Sequence, residues 1–299
     1  MKKKIGSDIK MEIKDINKSM MMIFLLEECN FSCNHCVRED EPMYPGYKLS
    51  FDQLKMCLSD CQNLKTIEWV HFSGGEPTLW KEGELKLEDL LIEISNAGYE
   101  PGFTTNGSNF LEYNKCYNFF KKYLNHAKKR LRLYISIDTF HGNYDVEKGR
   151  AKSLDNVIRF KTSIPSEKGK LLKVNVLVIV SKEAKSLLPD EMVEHYESQG
   201  VEFNFIPLEP KGKAKAISHL CPDLKSDKPE DLGVYYPFYK KKKDKEKKSN
   251  FILIGNDYYL YDYNYNVKFT QRWHKVAQLG HLAEKVKYVE DRNQKVIDI

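Results

Sequence analysis

The feature that most constrains this chain is an alternation. Short apolar runs rich in β-branched and aromatic residues take turns with longer stretches of helical apolar spacing. "MMMIFLL" (20–26), "WVHFS" (69–73), "GFTT" (102–105), "RLYISID" (132–138), "KVNVLVIV" (173–180) and "EFNFIPL" (202–208) read as strands. Between them, 51–63, 84–98, 110–128, 152–163 and 189–199 read as amphipathic helices, the first opened by Ser50 as N-cap. Strands that alternate with helices form right-handed βα units and a mostly parallel sheet.

Six such strands predict an α/β fold, a partial (β/α)6 TIM-like barrel, because a closed barrel needs two more units. Ligands of parallel sheets bind at the carboxyl ends of the strands. Three segments are expected: an N-terminal extension (1–19), the barrel core (20–215) and a small C-terminal appendage (216–299). In the appendage, "FILIGNDYYLYDYNYNVKF" reads as a β-hairpin about a "GND" turn. Tyrosines 258, 259, 261, 263 and 265 alternate in part with polar residues, as on a half-buried strand.

The net charge of +5 is local. Run 240–248 holds seven lysines against Asp244 and Glu246, so the rest of the chain sums to zero. A solvated loop accounts for it, and this concentration argues against a nucleic-acid face. "MMMIFLL" is far short of the ~20 residues of a membrane span. Glu27 and Glu28 end it with no cleavage site, so neither a membrane segment nor a signal peptide is expected.

Seven cysteines make no disulfide framework and point to a reducing cytoplasm. Three of them, Cys29, Cys33 and Cys36, crowd "CNFSCNHC" just after the first strand. Thiolates suit iron–sulfur clusters, zinc or Cu(I). A zinc site would need a fourth ligand, for which His35, Cys57 and Cys61 are candidates. Cys57 and Cys61, four apart on a helix, fit a packed face better. A cubane cluster on three cysteines leaves one iron open to a small molecule.

This Cys-x3-Cys-x2-Cys motif resembles the signature of the radical SAM superfamily, and its companions stand in the same order. "SGGEPTL" (73–79) resembles the family's GGEP segment, which would place Gly74, Gly75, Glu76 and Pro77 at the methionine amino group of S-adenosylmethionine (SAM). Read from the residues alone, two glycines and a proline also make a plain βα turn. "TTNGSNF" resembles the segment that shapes the SAM pocket, giving Thr105 and Asn106. "SIDTFHGNYD" matches a Ser-x-Asp strand end, which would set Ser136 and Asp138 near the ribose or methionine. His141 follows as a candidate catalytic group. Arg150, with Lys148 as alternate, is the expected partner of the SAM carboxylate, and Asn175 is an inward-facing polar candidate on its strand. "FIPLEPKGKAK" resembles a sixth-strand pattern in which the backbone near Ile206 meets the adenine, with Lys213 where the pattern carries arginine.

The resemblance covers about residues 20–215. The tail has the outline of a SPASM or twitch-like extension, but tyrosine and asparagine stand where its cysteines belong, so one [4Fe–4S] cluster is expected. The implied activity is reductive cleavage of SAM to a 5′-deoxyadenosyl radical that takes hydrogen from a substrate. A peptide or protein is the favoured substrate class, with a small metabolite or nucleotide as the alternative. An electron donor such as ferredoxin or flavodoxin is implied by the family. A non-enzymatic zinc-binding module is the alternative of another class.

Overall fold

The computed structural model describes residues 19–37, 46–62, 67–143, 145, 149–223, 226, 228–235, 248–254, 257–263 and 273–281. Residues 1–18, Lys148, 240–247, 255–256, where a turn is expected, and Tyr265 lie outside them.

The predicted alternation is present. In chain order run β1 (Ser19–Leu26), α1 (Phe51–Cys61), β2 (Ile67–Gly74), a ribbon of β3 (Lys81–Glu82) and β4 (Leu85–Lys86), α2 (Leu87–Asn96) and β5 (Glu100–Thr105). Then follow α3 (Tyr113–His126), β6 (Leu131–Ser136), α4 (Lys152–Ser163), α5 (Ser166–Gly169), β7 (Leu172–Val180), α6 (Asp190–Glu197), β8 (Glu202–Pro207) and α7 (Pro229–Leu232). The tail adds β9 (Lys248–Ile254), β10 (Asp257–Tyr263) and β11 (Trp273–His281). Ser50 caps α1 as expected. Its hydroxyl accepts from the Gln53 amide at 3.1 Å, and the Gln53 side chain accepts from the Ser50 amide at 2.9 Å.

Strands β1, β2, β5, β6, β7 and β8 pair side by side, all parallel. No closed barrel forms: the edges of the described sheet are β8 and β11. The two strands expected in the tail are present as β9 and β10, paired antiparallel, and they join the main sheet. β9 runs parallel to β1, Met22 opposite Ile252, and β10 and β11 follow antiparallel.

Alternate residues of β1, β2, β5, β6 and β7 face the helices. Met21, Ile23, Leu25, Val70, Phe72, Phe103, Leu133, Ile135, Val174, Val176 and Val178 are buried there against Leu54, Leu90, Phe119, Phe120 and Leu154. Each such side chain contributes roughly 1.5–3 kcal/mol by leaving water. The opposite face is polar. His71 meets Thr104 at 2.9 Å, Arg132 donates to Glu100 at 2.6 Å and lies 4.7 Å from the Trp69 ring, and Lys173 pairs with Glu202 at 2.9 Å. Arg132, Glu100, Lys173 and Glu202 pair near the amino ends of their strands, while the loop after the carboxyl end of β1 carries the cysteines.

Candidate metal and cofactor site

Cys29, Cys33 and Cys36 are half-buried on the loop after β1, and none is in a disulfide. The Cys36 amide donates to the Cys33 carbonyl at 3.3 Å, which turns the loop so that it carries all three thiols. Two donors reach the Cys29 sulfur: the Phe31 amide at 3.4 Å and the Asn106 side-chain amide at 3.9 Å. Burial pushes the Cys33 thiol up to about 11, aided by the charges of Cys29, Cys36 and Asp138 and opposed by Lys213. Thiols give up their protons when a metal replaces them. The donor set fits an iron–sulfur cluster: soft ligands, N–H bonds to sulfur and partial shielding.

Behind this loop stands the segment 74–77. A Cβ on Gly75 would lie 1.9 Å from the Glu28 carbonyl oxygen and 2.6 Å from that of Glu27. The Gly75 amide donates to Leu26 at 2.7 Å and the Glu76 amide to Glu28 at 2.8 Å. The glycine therefore admits the cysteine loop's own backbone. Gly74, at φ +113°, makes the bend that allows it. Glu76 is 1% exposed. It accepts from the Thr78 amide (3.1 Å) and hydroxyl (2.6 Å), the Thr105 hydroxyl (2.7 Å) and the Asn106 amide (2.7 Å). Burial raises its carboxyl above the usual range, against the pull of these bonds. Glu76 thus clasps the end of β5 to the end of β2, and Pro77 begins the short 3-10 turn that follows.

Asn106 ties this clasp to the cysteines. Its Nδ2 donates to Asn30 Oδ1 at 2.9 Å, and its carbonyl accepts from Asn143 Nδ2 at 3.0 Å. Asn143 Nδ2 also donates to the carbonyl of buried Ser136. Asn143 Oδ1 is left buried without a protein partner. Asn30 and Asn143 escaped the sequence reading, since polar loop residues outside a motif give no signal of facing inward.

Asp138 is fully buried, and both its oxygens are engaged. They accept from the Phe140 and His141 amides and from His141 Nδ1 at 2.9 Å each, and from the Ile179 amide at 3.3 Å. Burial pushes its carboxyl up, but the bonds and charge of His141, with His35, hold it below the usual value. His35, Asp138 and His141 are the one group of three such ligand atoms within 4.8 Å among the described residues. With Asp138 engaged by four donors, we read it as orienting His141 rather than binding an ion. The His35 ring stands edge-on to His141 at 4.5 Å, and its Nδ1 is buried without a partner. Burial, then His141, lower His35 to about 4.

Three further expected residues, Arg150, Asn175 and Ile206, have partners outside the cysteine loop. Arg150 does not turn to the thiols: it contacts His195 on α6 and lies 3.6 Å from Asp155 on α4. Asn175 is buried on β7, where it donates to the Leu133 carbonyl at 3.2 Å, opposite Tyr134 rather than at the rim. Ile206 is partly buried on β8, opposite Ile179. Cys57 and Cys61 are free thiols fully buried on α1 and hydrogen-bonded to each other, so they do not complete a site with the loop. The 212–213 turn after β8 does reach the loop. The Lys213 amide donates to the Cys36 carbonyl at 3.0 Å and its ammonium to Ser32 Oγ at 3.1 Å.

A family model described as Radical SAM superfamily matches residues 23–161. PqqA peptide cyclase of Rhodopseudomonas palustris is 33% identical over 86 residues, 29% of this chain and 20% of that protein. Among solved structures, Streptococcus suis SuiB bound to S-adenosylmethionine is 14% identical, over 81% of this chain and 60% of its own, with a TM-score of 0.43. Methylornithine synthase is 14% identical over 68% and 58%, with a TM-score of 0.42. The chain thus spans a fifth of the curated relative's length. No described helix is long and apolar enough to cross a membrane.

Proposed function

We propose, from a chain that carries a Radical SAM superfamily domain over residues 23–161, that the protein is a radical SAM enzyme acting on a peptide or protein. One observation carries the reading: Cys29, Cys33 and Cys36 share a single loop at the carboxyl end of β1, outside any disulfide, backed by the Gly75 and Asn106 segments. Members of this superfamily use a [4Fe–4S] cluster and SAM; when bound, they supply a 5′-deoxyadenosyl radical that abstracts hydrogen from substrate.

In this proposal the three cysteines hold the cluster. Gly74, Gly75, Glu76 and Pro77 hold the loop in place beside Thr105 and Asn106. Ser136, Asp138 and Ile206 border the SAM pocket, Asn175 lies below it, and His141 faces the reacting groups. The wall of Trp69, His71 and Tyr134 would form the inner boundary that keeps water from them. Residues 20–215 form the catalytic core and 216–299 an extension without a cluster of its own. The local likeness to a peptide cyclase supports a peptide substrate. Cysteines outside disulfides support a reducing, cytoplasmic setting, with ferredoxin or flavodoxin as donor.

The test is anaerobic reconstitution followed by reduction with SAM present. A brown protein with about four irons per chain that forms 5′-deoxyadenosine is expected. Replacing any one of the three cysteines by alanine should abolish both. A colourless protein with one zinc and no SAM cleavage would overturn the proposal.

A further inference from the structure

We infer that Lys213 sets the reduction potential of the cluster held by Cys29, Cys33 and Cys36, as a fixed positive charge beside the loop; this rests on the radical SAM reading of those cysteines.

The placement of Lys213 is imposed by the backbone. Gly212 has a φ of +51°, and a Cβ there would meet the Cys36 carbonyl oxygen at 2.3 Å and the Val37 Cα at 2.9 Å. The turn after β8 is thus pressed directly onto the cysteine loop. Next to it the Lys213 amide donates to that same Cys36 carbonyl at 3.0 Å. The side chain then returns to Ser32, between the first two cysteines, with Nζ 3.1 Å from Oγ. Both the backbone and the ammonium of Lys213 thus bond to the cysteine loop.

No carboxylate among the described residues pairs with Lys213, whereas its neighbour Lys211 is paired with Glu209 at 2.7 Å. Around Cys33, the negative charges of Cys29, Cys36 and Asp138 act one way and Lys213 acts the other. Reduction from [4Fe–4S]2+ to [4Fe–4S]+ adds one electron and no proton. The extra negative charge lies on the cluster, so a fixed cation stabilises the reduced form more than the oxidised one. A low-potential cluster must still be reducible by its donor, and Lys213 moves it in that direction.

The experiment is an EPR-monitored redox titration of the reconstituted full chain without SAM, with dithionite as the electron source, comparing wild type with Lys213→Met, Lys213→Gln and Lys213→Arg. At a fixed potential the reduced-to-oxidised ratio should fall roughly tenfold in the Met and Gln variants and return to the wild-type value in Arg, with equal iron in all four. Unchanged titration in Met and Gln overturns the inference. So does loss of iron in both, which would make Lys213 a purely structural clamp. So does a Met variant that titrates normally and loses only SAM affinity, measured by equilibrium dialysis. If wild type itself takes up no cluster, it is the radical SAM reading that has failed.

Discussion

A methyl group at Gly75 would stand 1.9 Å from a backbone oxygen that has nowhere to retreat, because the same stretch is bonded through Leu26 and Glu28. Gly75→Ala should therefore push the cysteine loop off the end of β2. The expected cost is about 1–3 kcal/mol in urea unfolding, together with reduced iron uptake. Glu76→Gln keeps an acceptor for Thr78 and Thr105 but sets an NH2 against the Asn106 amide. The lost bond and opposed donors should cost about 1–3 kcal/mol in the same assay. A wild-type unfolding curve for either variant would contradict these roles. The motif was legible in the sequence, but the reason for each residue was not. Glycines and a carboxylate at a strand end suggest contact with a ligand. Here one admits the chain's own backbone and the other satisfies four donors of its own chain. Arg150 shows the converse: a guanidinium suits a carboxylate anywhere, and here it lies with His195 and Asp155.

Among elements, the core strands and helices were readable because their apolar periods differ and each faces one continuous core. Ser50 was readable as a cap for a local reason, its hydroxyl needing only the amide three residues on. What periodicity hides is the polar face of the strands. His71 interrupts an apolar run, yet on β2 it is buried toward Thr104 of β5 and the Tyr134 ring of β6. Burial, and then the charge of Arg132, lower its pKa from 6.5 to about 3. In the unfolded chain this imidazole binds a proton below about pH 6.5, while in the fold it stays neutral down to about 3. The unfolded state therefore holds more protons across that window, so stability is full above 6.5 and falls as the pH drops toward 3. Unfolding of the apoprotein by urea from pH 7 to 4 should show this loss, and His71→Gln, which can keep the bond to Thr104, should flatten it. An identical slope in the variant would show that His71 is not the group responsible.

At the scale of the whole molecule, the sheet is larger than the alternation implied. β9 pairs with β1 across more than two hundred residues of chain. Nothing local to either strand announces that partnership, because register between distant strands is decided by which edge remains open once the βα units have stacked. β1 consequently lies inside a nine-stranded sheet. The loop that follows it, carrying Cys29, Cys33 and Cys36, springs from an interior strand, and it is steadied by the ends of β2 and β5 and the turn after β8. The central claim is that these three thiols leave one iron for SAM. EPR of the dithionite-reduced, reconstituted protein with and without SAM tests it most directly. A [4Fe–4S]+ signal whose g-values change when SAM is added is the predicted result; a protein that binds a single zinc, or a cluster signal indifferent to SAM, would contradict it.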